Sequence, residues 1–299
     1  MYRKIIVGHD LHSGGADALA LGRQLAKATD AQLVVAGIFP IGELPTGFES
    51  SWFDKQNEVT NEIQAIADEA GAEAEAFVSR SPGLGLNGLA EEVDADLVIV
   101  GSSRHSKLGQ ILAGNVGLSL LHGAPCAVAI APRGYAENPT DISTIVVGVV
   151  GGQESWLALE AATDLADASG ATIKLVAVTH DPPAAYGKGG GGMAGAPELR
   201  EAIEEQARKH LDEVSESTGD VPTEATLVTG DPAEKLAEAA SPGSIVVVGS
   251  RGYGPVRRVL LGSVSTELMR SAPCPVLVVP RAAENEPRTH RSVDARTVA

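Results

Sequence analysis

Aromatic residues are nearly missing from this chain: four Phe, four Tyr and two Trp make up 3% of 299 residues. A core without aromatic bulk has to be built from Ala, Val, Leu and Ile, which suits helices packed closely on parallel strands. Positive charge is also short. The chain has 23 Lys and Arg against 39 Asp and Glu, a net charge of -16 and a pI near 4.8. That balance excludes duplex DNA and anionic membrane as partners, because both are bound mainly through basic side chains. No apolar run approaches membrane-spanning length, and Met1-Tyr-Arg-Lys-Ile-Ile-Val-Gly8 enters a strand at once, with no apolar signal core. The expectation is a cytoplasmic protein. Cysteine is down to Cys126 and Cys274, each after Ala-Pro at the start of a late strand and without CxxC or metal-ligand spacing. They read as buried structural thiols, and no metal site is expected.

What the chain does have is length for two domains and 43% hydrophobic residues to fill them. It also repeats itself. Lys4-Ile-Ile-Val-Gly8 corresponds to Thr144-Ile-Val-Val-Gly148, while Gly101, Gly114 and Cys126 correspond to Gly249, Gly262 and Cys274. The change of offset places an insertion near the loop His180 to Ala196, where Gly187-Lys-Gly-Gly-Gly-Gly-Met193 lacks the Lys-Ser or Lys-Thr of a P-loop and reads as a flexible surface loop. Strands are predicted near Ile145–Gly148, Thr172–Val178, Thr223–Val228, Ile245–Val248 and Val276–Val279. Helices are predicted near Glu154–Ala168, Glu198–Glu216, Ala233–Ala240 and Val264–Arg270. This α/β alternation implies two tandem doubly wound five-stranded parallel sheets. Domains are placed at 1–134 and 142–281, joined by a linker at Pro132–Asp141, with 282–299 a disordered tail. Each half also ends in an apolar strand whose edge needs cover, so the halves are expected to pack as an internal pseudo-dimer.

The segment most suggestive of function is Gly249-Ser-Arg-Gly252, followed by Gly262-Ser-Val-Ser265. It lies between a buried strand, Ser244 to Val248, and a helix start, where free N–H groups of Ser263, Val264 and Ser265 favour an anion. The loop carries Arg251, Arg257 and Arg258 and no acid, a local reversal of sign in an acidic chain. In doubly wound sheets such a cradle sits beyond the carboxyl ends of the strands, at the crevice where the winding reverses.

Gly249-x2-Gly252-x9-Gly262-Ser263 and the closing run Ala272-Pro-Cys-Pro-Val-Leu-Val-Val279 resemble the universal stress proteins in their tandem form. The resemblance covers nearly all of both halves. It implies an adenine nucleotide alpha hydrolase-like fold with strand order 3-2-1-4-5, pairing of the halves through their last strands, and ATP at the switch point, with Mg or Mn as its companion ion left open. Carried over residue by residue, the second-half contacts are Val149 and Val178 for adenine, with Val248, Gly249, Arg251, Gly252, Gly262, Ser263, Val264 and Ser265 around the phosphates. The first-half counterparts are Asp10, Ile38, Gly101, Arg104, Gly114, Asn115 and Val116.

The halves depart from the family pattern in different places. Arg104 stands where the second half has Gly252, and Asn115 where it has Ser263; a side chain where the backbone approaches phosphate closely or takes positive φ is expected to obstruct the first pocket, the alternative being that Arg104 itself contacts phosphate. The family's acid after the first strand survives as Asp10, whereas the second half has Val150. Ser13-Gly-Gly-Ala-Asp17-Ala18 is similar to the SGGxD[ST] loop of ATP pyrophosphatases but ends in Ala, and His9 and His12 read as solvated loop residues. No nucleophile with its base is evident, so no catalytic residue is assigned. The expected function is an ATP-binding stress-response protein, occupied principally in its second half and turning ATP over slowly at most. It would act through conformation or an unidentified protein partner, with a further homodimer left open. The alternatives are a scaffold with lapsed pockets and, a distant third, a pyrophosphatase-like enzyme.

Overall fold

Nearly continuous Val and Ile runs supply the strands at the centre of this molecule, as strands buried on both faces require. The computed structural model describes residues 2–40, 49–149, 153–179, 196–250 and 262–280. The first half runs β1 (Lys4–Gly8), α1 (Ser13–Thr29), β2 (Gln32–Pro40), α2 (Glu49–Ala70), β3 (Glu73–Ser79), α3 (Pro82–Glu92), β4 (Leu97–Gly101), α4 (Asn115–Leu121) and β5 (Ala127–Ala131). The second repeats the series with β6 (Thr144–Val149), α5 (Gln153–Ser169), β7 (Thr172–Thr179), α6 (Ala196–Glu216), β8 (Thr223–Thr229), α7 (Pro232–Ala239), β9 (Ser244–Gly249), α8 (Ser263–Ser271) and β10 (Val276–Val279). Side chains mark several of these starts. Ser81 accepts from the Leu84 N–H ahead of α3, and Asp231 accepts from the Ala233 and Glu234 N–H groups ahead of α7, each with Pro in the first turn.

Within each half the strands are parallel and ordered 3-2-1-4-5. The fold class is the one expected, with one difference in how the sheets end. β5 and β10 pair antiparallel, Val276 opposite Ile130, Leu277 opposite Ala129 and Val278 opposite Val128, so the expected two sheets are one sheet of ten strands. The reason is in the residues: β5 is buried along its whole length and β10 along its first three residues. An edge that apolar would otherwise be an open template for pairing. The outer strands β3 and β8 are half-exposed and polar, as edges facing water are.

The pleat sorts side chains onto two cores that both run across the join. One holds Ile5, Val7, Ile99 and Ala129 together with Leu277, Val247 and Ile145, beneath α1 and α5. The other holds Ile6, Val98, Val128 and Ile130 with Val276, Val246 and Val146, beneath α3, α4, α7 and α8. Two backbone bonds also cross between the halves: Ile111 N–H donates to the Ala272 carbonyl at 2.9 Å and Ala113 N–H to the Met269 carbonyl at 2.8 Å.

The linker is an ordered strap. The buried carboxylate of Asp17, on α1, accepts from the Gly134 and Ala136 N–H groups, each at 2.8 Å. Tyr135 donates its hydroxyl to Gln24, whose amide donates to the Thr140 carbonyl. Both cysteines are free and buried, and burial pushes each thiol up to about 12, which keeps them protonated and unreactive.

Candidate functional site

In the first half, the carboxyl ends of β1, β2 and β4 open onto a cavity of about 850 Å³. All seven first-half candidates line it: Asp10, Ile38, Gly101, Arg104, Gly114, Asn115 and Val116. One wall is apolar, with Ala36, Ile38, Leu86 and Val116. The other is polar and built from two segments, one leaving β1 and one leaving β4.

The β1 segment folds through its own side chains. Asp10 Oδ1 accepts from the His12 N–H at 3.0 Å and the Gly15 N–H at 2.8 Å, which fixes the start of α1. Leu11 takes a left-handed φ of 59°, a conformation costly for a branched side chain, and its N–H donates to His9 Nδ1 at 3.1 Å. His9 is therefore not the solvated loop residue expected. It is half-buried with its ring under Gly15, where an added Cβ would meet the imidazole at 2.7 Å, and burial lowers its pKa despite the opposing charge of Asp10. A neutral ring accepting at Nδ1 carries its proton on Nε2. His12 is exposed, but it lines the cavity.

The β4 segment is pinned by Ser102, whose hydroxyl accepts from the Leu112 N–H at 2.6 Å and donates to the Leu112 carbonyl at 3.2 Å. A Cβ on Gly101 would lie 1.9 Å from the carbonyl oxygen of Gly14. Glycine is thus demanded at 101 by the approach of α1 to the end of β4, a reason independent of any ligand. Among the described non-glycine residues only Leu11, Asp30 and Asp94 have positive φ, so Arg104 does not adopt a left-handed backbone, one of the two grounds for expecting obstruction. The pocket is open, with Arg104 and Asn115 in its wall.

In the second half, Val149 and Gly249 end β6 and β9 and Val178 is the last residue but one of β7, three neighbouring strands of the sheet, and Val248 is buried one residue inside β9. Gly262 precedes α8 with φ −83°, and Ser263 is exposed while Val264 is half-buried. Ser265 turns its hydroxyl inward: it accepts from the Gly262 N–H at 2.9 Å and donates to the Gly262 carbonyl at 3.1 Å. Its side chain is committed to capping α8, which leaves the backbone N–H groups of the first turn as the donors on offer. Val150, Arg251, Gly252, Arg257, Arg258, the insertion loop and the tail lie outside the described residues.

A universal stress protein family model matches residues 1–132 and again 142–280. The chain belongs to the universal stress protein family. A universal stress protein of Mycobacterium tuberculosis is 28% identical over 296 residues, covering 92% of this chain and 99% of the relative. A crystal structure of a universal stress protein from Archaeoglobus fulgidus aligns over 93% of this chain and 98% of its own with a TM-score of 0.67 at 21% identity, which shows the shared fold. A universal stress protein solved in complex with cAMP is 27% identical over 44% of this chain, with a TM-score of 0.33.

Sequence reasoning missed His12, Ser13, Gly14, Gly15 and His105 as cavity residues. The available signal was the Ser13-Gly-Gly run at a helix start, which was set aside as a poor match to an enzyme loop. Asp17 of that run has a structural task in the linker clasp, so the acid needs no catalytic explanation.

Proposed function

We propose that this universal stress protein binds ATP at its switch points and acts in stress response through conformation or contact rather than rapid turnover. The observation that carries the reading is the first-half cavity. Its volume suits a nucleotide, one wall offers apolar surface for a base, and the other offers Asp10, glycine backbone and cationic side chains for ribose and phosphates. Asp10 Oδ1 is occupied by the start of α1, which leaves Oδ2 to accept from a ribose hydroxyl. Among the described residues no three His, Cys, Asp or Glu side chains cluster as a metal site, so Mg or Mn would arrive with the triphosphate. The second half offers a matching place at Gly249, Gly262 and the first turn of α8. An open first pocket removes the reason for confining ATP to the second half, and we assign nucleotide to both.

No helix among the described residues is long and apolar enough to cross a membrane, and the proposed place of action is the cytoplasm. Equilibrium binding of labelled ATP to the purified chain tests the reading, with up to two equivalents expected. A chain that leaves millimolar ATP unbound would instead be the interaction scaffold, with lapsed pockets on a shared sheet.

A further inference from the structure

The charge in the first-half pocket is not explained by a glycine cradle. Asp10 is the one acid among the described lining residues, and His9, His12, Arg104 and His105 are the basic ones. The other described residues that line the cavity bring no titratable group: β2 contributes Ala36 and Ile38, α3 contributes Pro82 and Leu86, and α4 begins with Asn115 and Val116. His9 is set apart by burial and by the Leu11 N–H on its Nδ1.

Three of these basic residues, His12, Arg104 and His105, flank one seam. Gly14 abuts Gly101 and Ser102, and this contact is the seam between the two loops that leave β1 and β4. His12 lies just before the seam on one loop, and Arg104 and His105 lie just past it on the other. All three are exposed and line the cavity. Among the described residues none of them is ion-paired with an acid. A guanidinium with its fork free is a bidentate phosphate ligand. Each imidazole adds a ring N–H that can donate to a phosphate oxygen.

We propose that the first-half pocket grips the polyphosphate of its nucleotide with side chains, Arg104 as the fixed charge and His12 and His105 as further hydrogen-bond partners, so that a triphosphate binds more tightly than a monophosphate. The inference rests on the reading that this pocket takes a nucleotide. Of the two roles open to Arg104 from the sequence, obstruction and phosphate contact, it takes the second.

The test uses the full chain, ATP and AMP, and no divalent metal, with equilibrium binding. For the unaltered chain, ATP is expected to bind about tenfold more tightly than AMP. Arg104→Gln is expected to weaken ATP about tenfold and AMP less than about twofold. The paired change His12→Ala, His105→Ala is expected to weaken ATP about fivefold. All three substitutions lie in the first half, so a second-half site adds the same background to each measurement. Unchanged ATP affinity in the histidine variant, AMP bound as tightly as ATP, or equal or stronger ATP binding in Arg104→Gln would each overturn the proposal. If neither nucleotide binds the unaltered chain, the nucleotide reading itself falls and takes this inference with it.

Discussion

After β1 the first half reads Gly8-His-Asp-Leu-His12 and folds down onto the start of α1; after β6 the second half reads Gly148-Val-Val-Gly-Gly152 in the same place. The first therefore has a carboxylate and two imidazoles at the pocket, and the second has none. At the end of β4 and β9 the bias is opposite, with Arg104 and Asn115 in one half and Gly252 and Ser263 in the other. Strand order and core survive this divergence because they depend on buried apolar alternation, which both copies retain. The pockets diverge freely because their residues sit on connections beyond the strand ends, where little packing restrains them. A repeated fold has thus kept one architecture with two chemistries at its switch points.

The strongest way to press this comparison is Gly101→Ala, which drives a Cβ into the Gly14 carbonyl and is expected to cost about 3 kcal/mol in urea unfolding. Gly249→Ala in the second half gives the control: an equal loss would mean that the same backbone approach operates there, and a small loss would confine it to the first pocket. Next in size is the join. Leu277→Ala removes a fully buried side chain opposite Ala129, and a loss of about 3 kcal/mol is expected, with the halves beginning to unfold as separate transitions. A single transition of unchanged midpoint would show that the halves do not depend on that contact.

Asp17 has Leu157 as its repeat partner, so the linker clasp belongs to one half only. Asp17→Ala strands two backbone donors and is expected to cost about 2 kcal/mol, read by thermal or urea unfolding. Binding gives the matched pair. Gly114 and Gly262 both precede a helix with φ near −75° and −83°, so valine at either is compatible with folding. Gly114→Val and Gly262→Val should each weaken one nucleotide equivalent about tenfold, or about 1.4 kcal/mol. If one variant loses all binding and the other none, a single half carries the function.

The smallest effect is in pH. Burial lowers the pKa of His9, so below the usual histidine value the unfolded chain binds more protons than the folded one, and stability falls as pH drops from about 6.5 toward the lowered value. The slope attributable to His9 cannot exceed about 1.4 kcal/mol per pH unit, and His9→Gln should remove it. Stability profiles of the two chains that stay parallel between pH 7 and 5 would show that the ring takes up its proton without cost.

Strand identities, the repeat and the family were legible because each rests on local pattern: β-branched runs for strands, a fixed offset for the repeat, and spaced glycines for the cradle; the strand order came with the family resemblance. The seven first-half pocket residues followed from the family pattern for the same reason. Whether Arg104 lies in the cavity wall was not legible because residue type alone does not fix φ, and the chain passes position 104 without the left-handed turn that a glycine would have marked. His12, His105 and the Gly14–Gly101 contact were beyond reach because they lie on two loops about 90 residues apart in sequence, brought edge to edge only by the parallel pairing of β1 with β4. The inward turn of Ser265 and the fusion of two sheets into one are of the same kind. Sequence determined which segments are strands and what chemistry their ends carry; the sheet decided which ends meet, because parallel pairing joins residues by space and hydrogen bonding and not by their distance along the chain.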